Sequence, residues 1–206
     1  LRVGYLRHDF EKHGDRSVAR AFMTALDDLR RSGVRLEEAK LPDVPFESAT
    51  IVILSAEVAT AFEELEKSGE ARKMVSSGAP LSFIVARAIR GADLVKAQRV
   101  RTLCQRAMAE LFARYDVLLY PGEGYTAFPL DKDFSEIAWS DPVGAAGNLC
   151  GLPAIAVPCG FGEDGLPASL TVMTSAFEED KGISLARRFQ QITSWHLKRP
   201  PLSTIS

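Results

Sequence analysis

The first forty residues carry the pattern that constrains the fold most: a strand, a helix and a second strand in succession. Residues 1–7 are mostly apolar, and residues 34–37 alternate between apolar and charged side chains. Between them, Val18 and Phe22 begin an apolar periodicity of helical spacing that stops at Gly33. Two strands separated by a helix pair in parallel, because a helix crossover returns the chain to the same end of the sheet. The opening therefore predicts a parallel βαβ unit.

Helices and strands continue to alternate through the rest of the chain. Apolar periodicity predicts helices over residues 47–67, over 92–114 and from Ser175 onward, where Ser175 and Glu178 have the spacing of a capping box. Short apolar runs predict strands over residues 116–120, 153–158 and 168–173, the last two joined by a glycine-rich turn. This order predicts a single α/β unit over residues 1–206, with a mixed, mostly parallel sheet flanked by helices.

Charge and length exclude several classes of protein. The 206 residues include 25 basic and 27 acidic side chains, a net charge of −2. Nucleic acids and anionic membranes select clustered positive charge, so neither is expected as a partner. No segment approaches the roughly 20 apolar residues of a membrane span. Three cysteines without a CxxC pair fit a reducing compartment. The chain is therefore expected to be cytoplasmic. Whether it forms a homo-oligomer is left open by the sequence.

Several short motifs have both a chemical and a structural interpretation. The run from Gly160 to Gly165 spells G-x-G-x-x-G, but a strand is expected after it, which favours a hairpin turn over a dinucleotide site. Ser76-Ser77-Gly78 is flanked by Met74-Val75 and Ala79-Pro80, which supply no glycine-rich backbone for an oxyanion hole, so a polar helix break is favoured over acyl transfer. His8 and His13 are five residues apart, whereas a zinc-binding helix spaces them by four, so a solvated loop is favoured.

The cysteines, the last histidine and a basic segment also favour structural roles. Cys150 and Cys159 have no histidine nearby in sequence, so packing is favoured over nucleophilic catalysis. His196 follows the closing helix and is expected to contact its C-terminal carbonyl groups. Residues 87–114 hold seven basic side chains and residues 57–70 hold five glutamates, which favours pairing between these segments, or plain solvation, over a nucleic-acid stripe.

A long run around residue 150 resembles the C-terminal motif of the amidase signature family. The run is Asn148-Leu149-Cys150-Gly151-Leu152-Pro153-Ala154-Ile155-Ala156-Val157-Pro158-Cys159-Gly160-Phe161. Three further segments also resemble the family. The segment from Tyr115 to Pro121 resembles its Y-D-x-L-L-x-P strand, and Ala97 to Arg101 resembles the helix before that strand. The segment from Phe177 to Pro201 resembles the closing helix and tail. The resemblance covers nearly the whole chain and implies the C-terminal portion of the amidase signature fold.

The resemblance implies hydrolysis of a carboxamide to a carboxylic acid and ammonia by a Ser-Ser-Lys triad, without a metal or an organic cofactor. In the family, the catalytic lysine and a G-G-S-S-G-G-S segment precede the part that this chain resembles, and that serine segment is not in these 206 residues. We therefore expect no catalytic residue here; the chain would supply scaffold and part of the pocket for a small-molecule amide. The abrupt apolar start at Leu1 leads to the same expectation of a longer protein.

Two residues are carried over from the resemblance as substrate-binding candidates. Arg87 and Asp141 match an arginine and an aspartate that, in the amidotransferase branch of the family, hold the amino-acid end of the amide substrate. Gly144 and Ala146 stand where that branch has Thr and Pro. The structural alternatives are a helix N-cap for Asp141 and a surface ion pair for Arg87. For the whole chain, the alternative is a stand-alone, non-catalytic α/β binding module, which a start codon immediately upstream would favour.

Overall fold

Short apolar segments form five strands in the described part of the chain. They are β1 (Val3–Leu6), β2 (Leu36–Ala39), β3 (Val117–Pro121), β4 (Ala154–Phe161) and β5 (Pro167–Thr174). The structure, a computed structural model, describes residues 1–6, 15–73, 86–122, 124–132 and 141–199. Every residue of β1 and β3 is buried, as expected for strands covered on both faces of a sheet.

The strands form one sheet in the order β2-β1-β3-β5-β4. β1 pairs in parallel with β2 and with β3, and Val3 is in register with both Leu36 and Val117. β5 runs antiparallel to β3 and to β4. Four of the five strands therefore point the same way, and only β5 is reversed. This confirms the predicted α/β fold with a mixed, mostly parallel sheet.

The helices lie between these strands and after them. They are α1 (Arg16–Arg31), α2 (Phe46–Ala61), α3 (Glu63–Lys67), α4 (Gly91–Arg114), α5 (Pro142–Cys150) and α6 (Glu179–Ile192), with 3₁₀ turns at Glu70–Lys73 and Trp195–Leu197. None of the helices among the described residues combines the length and the hydropathy that crossing a membrane requires.

Helix α1 shows why the sequence forms a helix at this point. The Asp15 carboxylate accepts hydrogen bonds from the Ser17 backbone N–H (2.6 Å) and the Ser17 hydroxyl (2.8 Å), which caps the first turn and lowers the pKa of Asp15. The apolar stripe that includes Val18 and Phe22 is fully buried. The chain then leaves the helix through Gly33, whose φ of 91° is strained for any other residue.

Several element boundaries differ from the sequence prediction. The helix expected over residues 47–67 is interrupted at Phe62, between α2 and α3. β2 begins at Leu36 rather than at residue 34. The closing helix begins at Glu179, and no side chain caps it, so the Ser175 capping box is wrong. Glu178 is engaged elsewhere, because its carboxylate pairs with the ammonium of Lys181 at 2.7 Å.

The chain divides into two compact units. The sheet unit comprises Leu1–Leu41, Leu111–Asp131 and Leu152–Ser206, and it holds all the strands described above. Its core packs α1 and α6 against the sheet through side chains such as Phe22, Leu119 and Phe189. The helical unit comprises Pro42–Glu110 and Lys132–Gly151. Within it α2 packs on α5, where the Thr50 hydroxyl lies 3.4 Å from the Ala145 carbonyl.

Candidate functional site

The long motif around residue 150 folds as a helix end followed by a strand. Helix α5 ends at Gly151, which adopts a left-handed conformation (φ 71°) and donates its N–H to the carbonyls of Gly147 and Asn148. After Pro153, β4 pairs with β5 along nearly its whole length. The spacing of glycine and proline in the motif therefore encodes a helix stop and a strand start, and it places no nucleophile or base at this point.

Replacing Gly151 with alanine is expected to lower the free energy of unfolding by about 1 kcal/mol, because alanine is strained at positive φ. Gly91 is the matched control, since an added Cβ finds open space at both positions but Gly91 has no positive φ. Chemical denaturation of the two variants measures the difference. Equal stability of both variants would contradict the assigned backbone conformation.

Asp141, a candidate substrate ligand, lies at the N-terminus of α5. Its carboxylate accepts a hydrogen bond from the Gly144 backbone N–H (2.8 Å), and its own backbone N–H donates to Glu47 (2.7 Å). A Cβ at position 144 would lie 1.9 Å from the Asp141 carboxylate. The absence of a side chain at Gly144 thus makes room for the Asp141 carboxylate to fold back over the helix.

Arg87, the second candidate, lies in the same helical unit and pairs with two glutamates. Its guanidinium is 2.6 Å from the Glu66 carboxylate and 4.0 Å from that of Glu63, and 43% of the side chain stays exposed. This ion pair joins the acidic and basic segments, as their composition predicted. Among the described residues, no direct contact joins Arg87 to Asp141. Both side chains remain accessible to solvent.

The glycine-rich run after β4 is a hairpin turn. The Gly162 N–H donates to the Leu166 carbonyl (2.8 Å), and the Gly165 N–H donates to the Gly162 carbonyl (3.1 Å). β5 follows directly, so no helix N-terminus is present to face a pyrophosphate. The prediction of a turn in place of a dinucleotide site is confirmed.

Burial makes the cysteines poor nucleophiles. It raises the pKa of Cys150 to about 11 and that of Cys159 to about 12, so both thiols stay protonated at neutral pH. No disulfide links the described cysteines. In the described part of the chain, no three His, Cys, Asp or Glu side chains come close enough to hold a metal ion.

The histidine and serine candidates give no further site. His196 lies in the last 3₁₀ turn, and its Nδ1 is buried without a hydrogen-bond partner. The expected contact with the carbonyl groups of the closing helix is therefore not made through this atom. His8, His13, Ser76 and Ser77 lie outside the described residues.

One charged cluster in the sheet unit was not predicted. Asp116, the second residue of the Y-D-x-L-L motif, accepts hydrogen bonds from the Arg2 backbone N–H (2.7 Å) and guanidinium (2.9 Å). The Lys181 ammonium lies 3.6 Å from the same carboxylate. These cations hold the pKa of Asp116 well below its usual range. Only the aspartate within an apolar run signals this cluster, since Arg2 is 114 residues away.

Comparison with known protein families and curated proteins gives consistent matches. The family model described as Amidase matches residues 1–182. A glutamyl-tRNA(Gln) amidotransferase subunit from Chloroflexus aggregans is 29% identical, and the match covers 98% of this chain and 46% of the relative. The chain thus spans about half the length of the curated relatives it matches.

Solved structures show the same fold. A glutamyl-tRNA(Gln) amidotransferase subunit from Thermotoga maritima matches with a TM-score of 0.72 at 29% identity, over 92% of this chain and 42% of that protein. A bacterial aryl acylamidase of the amidase signature enzymes matches with a TM-score of 0.74 over 95% of this chain and 44% of its own. At 18% identity the second likeness supports the fold alone.

Proposed function

This chain belongs to the amidase family, and we propose that it forms the C-terminal portion of an amidase that hydrolyses a carboxamide to a carboxylic acid and ammonia. The single observation that carries the proposal is the family match over residues 1–182, which spans both compact units. The motif from Asn148 to Phe161 lies within this match. Both units are proposed to be parts of one amidase domain.

In the proposed enzyme, a lysine acts through a bridging serine to deprotonate a nucleophilic serine. That serine attacks the amide carbonyl, backbone N–H groups stabilise the oxyanion, and ammonia leaves before water releases the acid. These groups are proposed to come from polypeptide outside these 206 residues, which hold no G-G-S-S-G-G-S segment. The present chain contributes the sheet, the helices around it and part of the substrate pocket.

Exposed apolar side chains support a missing neighbour. Helix α2 buries Phe46, Ala49 and Ile53, yet Ile51 and Leu54 on its other side are 59% and 49% exposed. Exposed apolar side chains on the outside of a helix are typical of a surface that other polypeptide covers. We propose that the rest of the amidase covers this side of α2.

Within the pocket, Arg87 and Asp141 are proposed to hold the amino-acid end of an amide substrate. A guanidinium and a carboxylate together complement the carboxylate and ammonium of such a substrate. Both side chains are partly exposed while they keep their structural contacts. The substrate would contact the part of the Arg87 guanidinium that its ion pair leaves exposed and the part of the Asp141 carboxylate that its cap on α5 leaves exposed.

The first test asks whether the chain has activity by itself. The purified chain is expected to release no ammonia from glutamine or benzamide above the buffer rate, since it holds no triad. Co-production with the lysine- and serine-bearing part of an amidase is expected to restore ammonia release. Hydrolysis by the chain alone would contradict the proposal, and so would failure to restore activity by a co-produced partner that binds it.

The second test separates substrate binding from helix capping in the active assembly. Asp141→Asn keeps an oxygen that can cap α5 but loses the charge. It is expected to lower kcat/KM for glutamine about tenfold, by loss of a charge-assisted contact, and to leave kcat/KM for benzamide unchanged. Arg87→Lys, which retains an ion pair with Glu66, is expected to behave alike. An equal loss for both substrates would assign these residues a purely structural role.

A further inference from the structure

A cavity in the sheet unit is lined by arginines, and neither residue proposed to bind substrate is among its lining residues. It has a volume of about 580 Å³ and opens beside the first residues of β1 and β2, between the turn after α1 and the side of α6. Leu1, Val34 and Leu185 give it an apolar part. Its polar lining residues are Arg35, Ser184, Arg187, Arg188 and Gln191.

Among the residues that the structure describes, no carboxylate lines this cavity. Arg35 and Arg187 form no ion pair or side-chain hydrogen bond with the described residues, although Arg35 also borders a neighbouring cavity that Glu37 and Asp116 line. The nearby arginines of α1 differ, because Arg30 and Arg31 each pair with an aspartate one turn earlier. In the described part of the chain, the three guanidinium groups of the cavity therefore pair with no carboxylate.

One of the three guanidinium groups is held in place. Arg188 donates through Nε to the Ser32 hydroxyl (3.3 Å) and through Nη2 to the Ser32 carbonyl. These bonds fix the planar group at the C-terminal end of α1 and leave Nη1 unused. A guanidinium that is already oriented loses less conformational entropy when it binds an anion.

We propose that this cavity binds a phosphate or diphosphate group. Arginine forks match phosphate oxygens, and the Ser184 hydroxyl and Gln191 amide add neutral donors. The apolar residues can accommodate the organic part of such a ligand. A nucleic-acid strand is a poorer fit, because the cavity has no aromatic residue, among those described, on which bases could stack.

The test is a titration of the 206-residue chain with inorganic pyrophosphate, in which calorimetry measures the binding. Saturable binding of pyrophosphate is expected. The double variant Arg35→Gln/Arg187→Gln is expected to bind pyrophosphate at least about tenfold more weakly, because it loses two charge-assisted contacts. The matched control, Arg20→Gln with Arg99→Gln, removes the same charge from exposed arginines outside the cavity. It is expected to change the affinity less than about twofold. Arg188 is left intact because it also contacts α1.

Several outcomes would overturn the proposal. The first is no saturable binding, and the second is an equal loss of affinity in the two double variants. The third is that sodium chloride competes with pyrophosphate for the cavity as well as phosphate does at the same ionic strength, which would indicate screening alone. Because Leu1 borders the cavity, a chain extended by Gly-Ser before Leu1 is expected to bind equally, and its failure to bind would also overturn the proposal. Binding of an oligonucleotide by a chain that does not bind pyrophosphate would also overturn the proposal. None of these measurements depends on amidase activity.

Discussion

Replacing Phe22 with alanine is expected to lower the free energy of unfolding of the sheet unit by about 3–5 kcal/mol, the cost typical of removing a buried phenyl ring. Phe22 is 0% exposed and lies on the face of α1 that packs against the sheet. Its removal leaves a cavity between α1 and the strands, and the close packing around it limits collapse of that cavity. Equilibrium denaturation in urea measures the change.

Phe177 provides the control for the same substitution. It is 95% exposed, so Phe177→Ala removes an equal number of atoms without opening a cavity and is expected to change stability by less than about 0.5 kcal/mol. Similar losses for the two variants would contradict the placement of α1 on the sheet. The sheet unit should report the loss through protection of its own amide hydrogens, because its core contains Phe22.

Replacing Asp116 with alanine is expected to have the second largest effect, a loss of about 2–3 kcal/mol at pH 7. The substitution removes the acceptor for the Arg2 backbone N–H and guanidinium and the counter-charge for Lys181. These contacts link the start of β1, the start of β3 and α6. Asp27→Ala is the control, because its pair with Arg30 is exposed on one helix and is expected to contribute less than about 0.5 kcal/mol.

The contribution of Asp116 should depend on pH in a defined direction. The pKa of this carboxyl is lowered in the folded chain from the ordinary value of 3.8, chiefly by its hydrogen bonds with Arg2. A lowered folded-state pKa stabilises the fold above the unfolded pKa, and this stability is lost as the pH falls. The difference between wild type and Asp116→Ala is therefore expected to shrink from pH 7 to about pH 3. A difference that grows toward low pH would contradict the assigned ion pair.

Much of the fold follows from local patterns in the sequence. The apolar run from Val117 to Tyr120 and the helical periodicity that includes Val18 and Phe22 place β3 and α1, because burial of one face selects the periodicity. Gly151, within the amidase motif, and Gly165, in the hairpin turn that follows the motif, mark positive φ angles. The capping rule failed at Glu178, whose carboxylate pairs with Lys181 three residues later in place of capping α6; the same Lys181 ammonium also lies 3.6 Å from Asp116, a contact that no local pattern specifies.

The candidate site was predictable only in its residue types. Family resemblance names Arg87 and Asp141, but the partners Glu66 and Glu47 are 21 and 94 residues away along the chain. No local pattern specifies these pairs, because hydrogen bonds between distant residues depend on how the helices pack. Gly144 is a further example of a position that local patterns do not specify. A side chain is excluded at this position because its Cβ would collide with the Asp141 carboxylate.

Local sequence patterns establish the α/β class, the strand–helix–strand opening and the amidase motif, because periodicity and glycine or proline spacing are properties of neighbouring residues. Folding of the whole chain, in contrast, set the position of β5 between β3 and β4 in the sheet. It also decided that Arg2 meets Asp116, and that Arg35, Arg187 and Arg188 line one cavity. The physical reason is common to all three: each joins segments far apart in the chain, and their proximity is fixed by packing of the whole core.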